Sequence, residues 1–155
     1  MSTGLSVGDV VAERDVHLTR ASLVAYANAS GDQNPIHQDD AVAAEVGLPG
    51  VIAHGMLTMG LAVQPVVDWL NSLVEEREAR LETSAPRITD YGVRFTRMVV
   101  VDAAAGADVH IAAKVGAVDA VAGTARIDLT VTSQGETVLG KAQVFVAGLG
   151  VEAPA

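Results

Sequence analysis

The sequence predicts an α+β fold in which one long central helix is wrapped by an antiparallel β-sheet. Two observations carry this. Over residues 55–70 the chain is apolar on nearly every helical face, through Met56, Leu57, Met59, Leu61, Ala62, Val63, Val66, Val67, Trp69 and Leu70. Such a helix has to be covered by something else. At about sixteen residues it is short for a membrane span, and Gln64, Pro65 and Asp68 interrupt it. After Pro86 come four runs that alternate apolar and polar residues, the pattern of strands with one dry and one wet face. A dry sheet face and an all-apolar helix complete each other.

The elements follow in order. Residues 10–18 form an irregular strand in which Val16 and Leu18 alternate with Asp15 and His17. Thr19 caps a helix running through Ala29, with Leu23, Val24 and Ala27 as its apolar stripe, and Gly31 stops it. Asp39 caps a short helix over 40–46 that Gly47 ends. The central helix begins at Gly55 and continues as a more polar extension through Glu82. Pro65 removes one of its hydrogen bonds, which predicts a kink near Leu61 and no break. Thr83 to Pro86 end the helical part. Strands are expected over 87–98, with Tyr91, Val93 and Phe95 on one face, and over 107–118, 124–133 and 136–146. Gly135-Glu136 is the expected hairpin turn between the last two.

Length and charge bound the function. The 155 residues suit one domain, 1–155, with a sizeable core of Val, Ala, Leu and Ile, since only 3% are aromatic. A net charge of -9 argues against a nucleic-acid partner. Five of the ten basic residues, Arg77, Arg80, Arg87, Arg94 and Arg97, nevertheless fall in one short region. They form either a solvated face or a docking site for a phosphorylated or acidic partner. Without cysteine there is no disulfide, thiol nucleophile or thiolate metal site. The N-terminal stretch lacks a basic start followed by an apolar run, so no signal peptide is expected and the cytoplasm is the expected location, with no membrane partner.

The chemistry gathers in residues 26–70. Asp32 and His37 stand five apart in a loop that Gly31 relaxes and Pro35 holds out of regular helix. Downstream, His54-Gly55 opens the central helix, where the first N–H groups lack internal partners and carry the positive end of the dipole. A glycine there leaves room for a ligand oxygen, which outlines an oxyanion site. An acid, a base and an oxyanion donor suit enolate chemistry beside a carbonyl, or addition of water to a conjugated carbonyl. Asp32 capping local N–H groups is the plain structural alternative. His54 reads first as a buried, hydrogen-bonded helix-start residue, and His17 and His110 as incidental on wet strand faces. Asp32, His37 and His54 have no familiar ligand spacing, so no metal is expected.

The run Ser30-Gly31-Asp32-x-Asn34-Pro35-Ile36-His37-x-Asp39, followed by Ile52-Ala53-His54-Gly55-Met56-Leu57, resembles the hydratase motif of the MaoC-like (R)-specific enoyl-thioester hydratases and dehydratases. With Tyr91-Gly92-Val93-Arg94-Phe95-Thr96 it is most similar to the catalytic B subunits of mycobacterial (3R)-hydroxyacyl-ACP dehydratases. The resemblance implies a hot-dog fold and reversible dehydration of (3R)-3-hydroxyacyl thioesters to trans-2-enoyl thioesters. It further implies Asp32 and His37 as the catalytic pair, Gly55 N–H on the thioester oxygen, and Asn34 and His54 as loop-orienting residues. No cofactor follows from it. The implied partners are acyl-CoA or acyl-ACP and a second hot-dog subunit, as a homodimer or a heterodimer. Arg94 and Arg97 are the expected entrance for the CoA or phosphopantetheine phosphates. Two departures stand out: Met98-Val99-Val100-Val101-Asp102 replaces a Pro-Val-x-x-Gly-Asp-like run, and the extension over 71–82 is long. The competing readings are a hot-dog thioesterase and a non-catalytic acyl-binding subunit.

Overall fold

The computed structural model describes residues 4–78 and 85–150, without the side chains of Arg77 and Glu78. Its elements are β1 (Val10–Leu18), α1 (Arg20–Ser30), α2 (Asp40–Glu45), α3 (Gly55–Glu78), β2 (Arg87–Phe95), β3 (Ala107–Asp119), β4 (Thr124–Ser133) and β5 (Glu136–Ala147). The five strands form one antiparallel sheet in the order β1-β3-β4-β5-β2. With α3 laid on its dry face this is a hot-dog fold, as expected. The expected end of the helical extension, Arg80 included, and Thr83 and Ser84 lie outside the described residues.

Local chemistry sets the boundaries. Thr19 and Ser22 form a reciprocal capping box on α1, and Gly31, at φ 82, donates its N–H back to the Ala27 carbonyl. Asp39 Oδ1 accepts from Ala41 and Val42 N–H (2.8 and 3.2 Å) and starts α2. Helix α3 runs through Pro65 unbroken. Thr58, Ala62, Val66 and Leu70, spaced four apart, form its buried stripe against the sheet. Met56, Gly60, Gln64 and Asp68 on the opposite flank are exposed. The sheet thus covers the side of the helix that it faces.

Across the sheet, Val109, Ile111, Ala113 and Val115 of β3 meet Ile127, Leu129 and Val131 of β4 and Val138, Ala142 and Val144 of β5 in the core. Three strand expectations shift. β2 stops at Phe95, three residues early, and an extra residue between Ile88 and Asp90 breaks its alternation, whereas the irregularity at Gly92/Arg94 puts the extra residue on β5. Phe95 keeps the face of Tyr91, toward the start of α3, but is 56% exposed there. The β4–β5 turn is Gln134-Gly135, one residue earlier than expected, with both residues at positive φ as a two-residue hairpin requires. In β5 the irregular register around Gly140-Lys141 changes the phase, so Val138 and Leu139 are buried in succession.

Ion pairs tie the layers together. Arg14 on β1 reaches Asp68 on α3 (2.6 Å). Arg20 grips Asp40 with two nitrogens (3.0 and 2.7 Å) and donates through Nε to the Val101 carbonyl (2.6 Å). The hydrogen bond from Arg20 holds the Asp40 carboxyl below the usual carboxylate range. Tyr91 donates its hydroxyl to the Met59 carbonyl (2.7 Å), joining β2 to α3, and burial pushes that phenol up to about 12.

A very tight backbone approach occurs at Gly106, where the chain closes the Asp102 loop before β3. Its φ is +68, and an added Cβ would run into the Leu18 carbonyl oxygen. Gly106→Ala should therefore destabilise the protein by roughly 2 kcal/mol or more, from left-handed strain plus the displaced strand end. Urea unfolding checks this; an unchanged midpoint would show that the loop relaxes freely.

Candidate active site

The site starts from how α1 ends. Once Gly31 has turned the chain, Asp32 Oδ1 accepts from Asn34 N–H (3.2 Å), and Asn34 Oδ1 accepts from Ile36 N–H (3.2 Å). Pro35 opens the single 3-10 turn Pro35–His37. Asp32 thus does cap its own turn while its side chain stays exposed, whereas His37 is buried. His37 Nδ1 donates to the Ile52 carbonyl (2.7 Å), so Nε2 is the nitrogen with the lone pair. Ile52 is held by a short backbone ladder: Ala53 N–H donates to Val99 (2.8 Å) and Val101 N–H to Val51 (2.9 Å). The departure at Met98-Val99-Val100-Val101 falls on this ladder, with Val99 and Val101 buried.

His54, 1% exposed, follows the ladder. Its ring stacks on His37 at 3.8 Å and 24°, and Tyr26 meets it edge-on at 4.8 Å and 61°. Nε2–H donates to the Asp32 carbonyl (3.1 Å), while Nδ1 is buried without a hydrogen-bond partner. Asp32, His37 and His54 can each offer a ligand atom within 4.8 Å of the others. The stack suits a metal poorly. An imidazole lone pair lies in its ring plane, and an ion about 2 Å from both nitrogens would sit between the planes and outside each of them.

A cavity of about 290 Å³ opens beside this cluster, lined by His37, Gly55, Thr58, Phe95, Arg97 and Leu139 among others. It brings His37 to the first residue of α3, where helix N–H groups point outward. Asp32 does not line it. The Phe95 ring stands over Gly55 so closely that an added Cβ would come within 3.1 Å of it. Gly55 is itself exposed, and a side chain there would have to push the Phe95 ring aside by a few tenths of an ångström. The two arginines separate: Arg97 lines the cavity and pairs with Glu136 (3.2 Å), whereas Arg94 lines another depression with Lys141 and Gln143. His17 pairs with Asp108 (2.6 Å), and His110 with Asp15 and Glu13 (2.7 and 3.1 Å), away from the cavity. Sequence reasoning missed Phe95 as a cavity wall, Tyr26 as a support and the Ile52 carbonyl as the anchor of His37. The first two are contacts between segments distant in sequence, and a backbone carbonyl has no sequence signal.

Among the described residues no helix is long and apolar enough to cross a membrane. The chain is 34% identical over 91 residues to the 3-hydroxyacyl-thioester dehydratase X of Mycobacterium tuberculosis, covering 59% of this chain and 27% of the relative. A solved structure described as a MaoC-like dehydratase matches with a TM-score of 0.79 and 34% identity, over 93% of this chain and 41% of the other. The chain thus spans less than half the length of either. The C-terminally truncated HadBC (3R-hydroxyacyl-ACP dehydratase) complex from Mycobacterium tuberculosis matches with a TM-score of 0.66 over 94% of this chain and 99% of the other. At 18% identity it shows a shared fold alone, here in a protein solved as a complex. The MaoC like domain matches residues 6–134, a span that takes in the Asp32 loop, the start of α3 and four of the five strands, and the chain belongs to that family.

Proposed function

We propose that the chain catalyses the reversible dehydration of a (3R)-3-hydroxyacyl thioester to the trans-2-enoyl thioester in the cytoplasm, as one hot-dog domain and without a metal or redox cofactor. One observation carries the reading. His37 is locked through Nδ1 to the Ile52 carbonyl, so a basic Nε2 is available beside a cavity that also reaches the N-terminus of α3 at Gly55. Family membership and the printed name of the dehydratase relative support it.

In the dehydration direction Asp32 and His37 between them take the C2 proton and protonate the C3 hydroxyl. The C2–H bond breaks, the C2=C3 double bond forms, and the C3–O bond breaks as water leaves. Negative charge developing on the thioester oxygen meets the Gly55 N–H and the positive end of α3. Phe95, Val99 and Leu139 supply an apolar wall for the acyl chain. Asn34 orients the loop by capping its turn. The acyl group arrives on CoA or on a carrier protein.

Asp32→Asn and His37→Ala should each lower hydration of crotonyl-CoA or longer enoyl-CoAs by about 10²-fold or more without unfolding the protein. Loss of the conjugated absorbance reports the rate, and the double variant should be little worse than either single one. Near-normal turnover by Asp32→Asn would return Asp32 to turn capping alone. Release of free thiol by the wild type would instead identify a thioesterase.

A second hot-dog subunit is the proposed partner. Met56, Phe95 and Met98, near the cavity, are 60%, 56% and 51% exposed, an apolar surface that a partner would cover. Light scattering should give about twice the chain mass. A monomer that becomes active only with a different subunit would mean a heterodimer.

Arg97, at the cavity, and Arg94, beside it in sequence, are proposed to draw the carrier's phosphates toward an otherwise acidic protein. Arg97→Ala or Arg94→Ala should raise KM for CoA thioesters roughly two- to fivefold, with less effect on kcat and less at high salt. Pantetheine thioesters without the nucleotide are the comparison; an equal rise on both would mean that these arginines do not read phosphates.

A further inference from the structure

His54 stands apart from the other buried polar groups because half of its hydrogen-bonding capacity is unused. The ring is 1% exposed, and Nδ1 has no partner while Nε2–H is committed to the Asp32 carbonyl. A buried nitrogen without a partner is destabilising, so an apolar residue would suit the core better. What the position does require can be read from its neighbours. Asp32 needs a donor, and His37 lies flat against a ring at 3.8 Å. Phenylalanine supplies the ring without the donor, glutamine the donor without the ring, and tryptophan is too large for a fully enclosed site. Histidine alone satisfies both demands at this size, with the idle Nδ1 as the consequence.

We propose that His54 is a positioning residue that couples Asp32 to His37 through two separable contacts. This rests on the reading of Asp32 and His37 as the catalytic pair. The Nε2–H bond fixes the backbone of the residue that carries the carboxylate. The stack fixes the one rotation left to His37, that of its ring about the Nδ1–H bond to Ile52. Tyr26, edge-on at 4.8 Å, closes the other side of the His54 ring. The His54 carbonyl accepts from Thr58 N–H (3.2 Å) in the first turn of α3, so this residue is also tied to the helix start that presents Gly55. One side chain and its backbone thereby set carboxylate, imidazole and helix terminus relative to one another. Misplacement of about 1 Å at such a site is enough to lose on the order of 10² in rate.

Two variants separate the contacts while filling the space, His54→Phe and His54→Gln. Each should lower kcat for enoyl-thioester hydration by about tenfold or more with KM nearly unchanged. Their physical signatures should be opposite. In His54→Phe, amide exchange at Asn34 and Ile36 should quicken, while the ¹⁵N shifts of the His37 ring still report a proton on Nδ1. In His54→Gln the exchange should be kept and the His37 shifts should move toward a mixture of tautomers. Wild-type kcat in either variant would overturn the proposal. So would identical changes in exchange and ring shifts in both variants, or a fall in folded fraction by circular dichroism that equals the loss of rate. If the wild-type protein hydrates no enoyl thioester, the catalytic reading fails, while the exchange and shift patterns still decide the coupling.

Discussion

The short ladder between residues 51–53 and 99–101 holds the Ile52 carbonyl where His37 can donate to it, and it delivers the chain into α3. Both consequences come from ordinary backbone pairing. Val51, Ala53, Val99 and Val101 anchor the ladder in the core, so its position is set by packing as well as by hydrogen bonds. His37 then needs no acidic side chain to orient it, because a buried carbonyl that must be satisfied selects the tautomer. Arg20 extends the constraint, bonding the Val101 carbonyl on one side and Asp40 on the other, and so ties α1 and α2 to the same ladder.

Charge is divided between scaffold and site. Arg14, Arg20 and Arg126 are occupied by Asp68, Asp40 and Asp128. These exposed pairs fix geometry more than they add stability. Arg97 pairs with Glu136 across a surface open to water, where competition from a phosphate is easiest. In the proposed reaction the strongest electrostatic element is the N-terminus of α3, which presents fixed dipoles that need no rearrangement as the substrate's charge moves.

The fold was legible where a pattern extends over many residues. The strand periodicity from Ala107 to Ala147 and the caps at Thr19, Gly31 and Asp39 each have a local cause, and each lies where that cause puts it. Legibility fails at single-residue events. The extra residue on β5 opposite Gly92 and Arg94 shifts that strand's phase, and no residue type announces it. In the site, Asp32, His37 and Gly55 could be picked out by spacing and by position at a helix start. Their arrangement could not, because it depends on the Ile52 carbonyl and on the stacking of two rings seventeen residues apart in sequence. Alternation sets Arg94 on the strand face opposite Phe95, apart from the cavity that Arg97 lines beyond the strand end.

β2 is an edge strand of the sheet, and the extra residue between Ile88 and Asp90 interrupts that edge. An uninterrupted edge offers a continuous row of donors and acceptors to any extended segment, which is the route by which sheet proteins grow into aggregates. Here the extra residue near the start of β2 breaks the regular pattern, so the hydrogen bonds of a stray strand would fall out of step at that point. An edge interrupted in this way works against indiscriminate pairing.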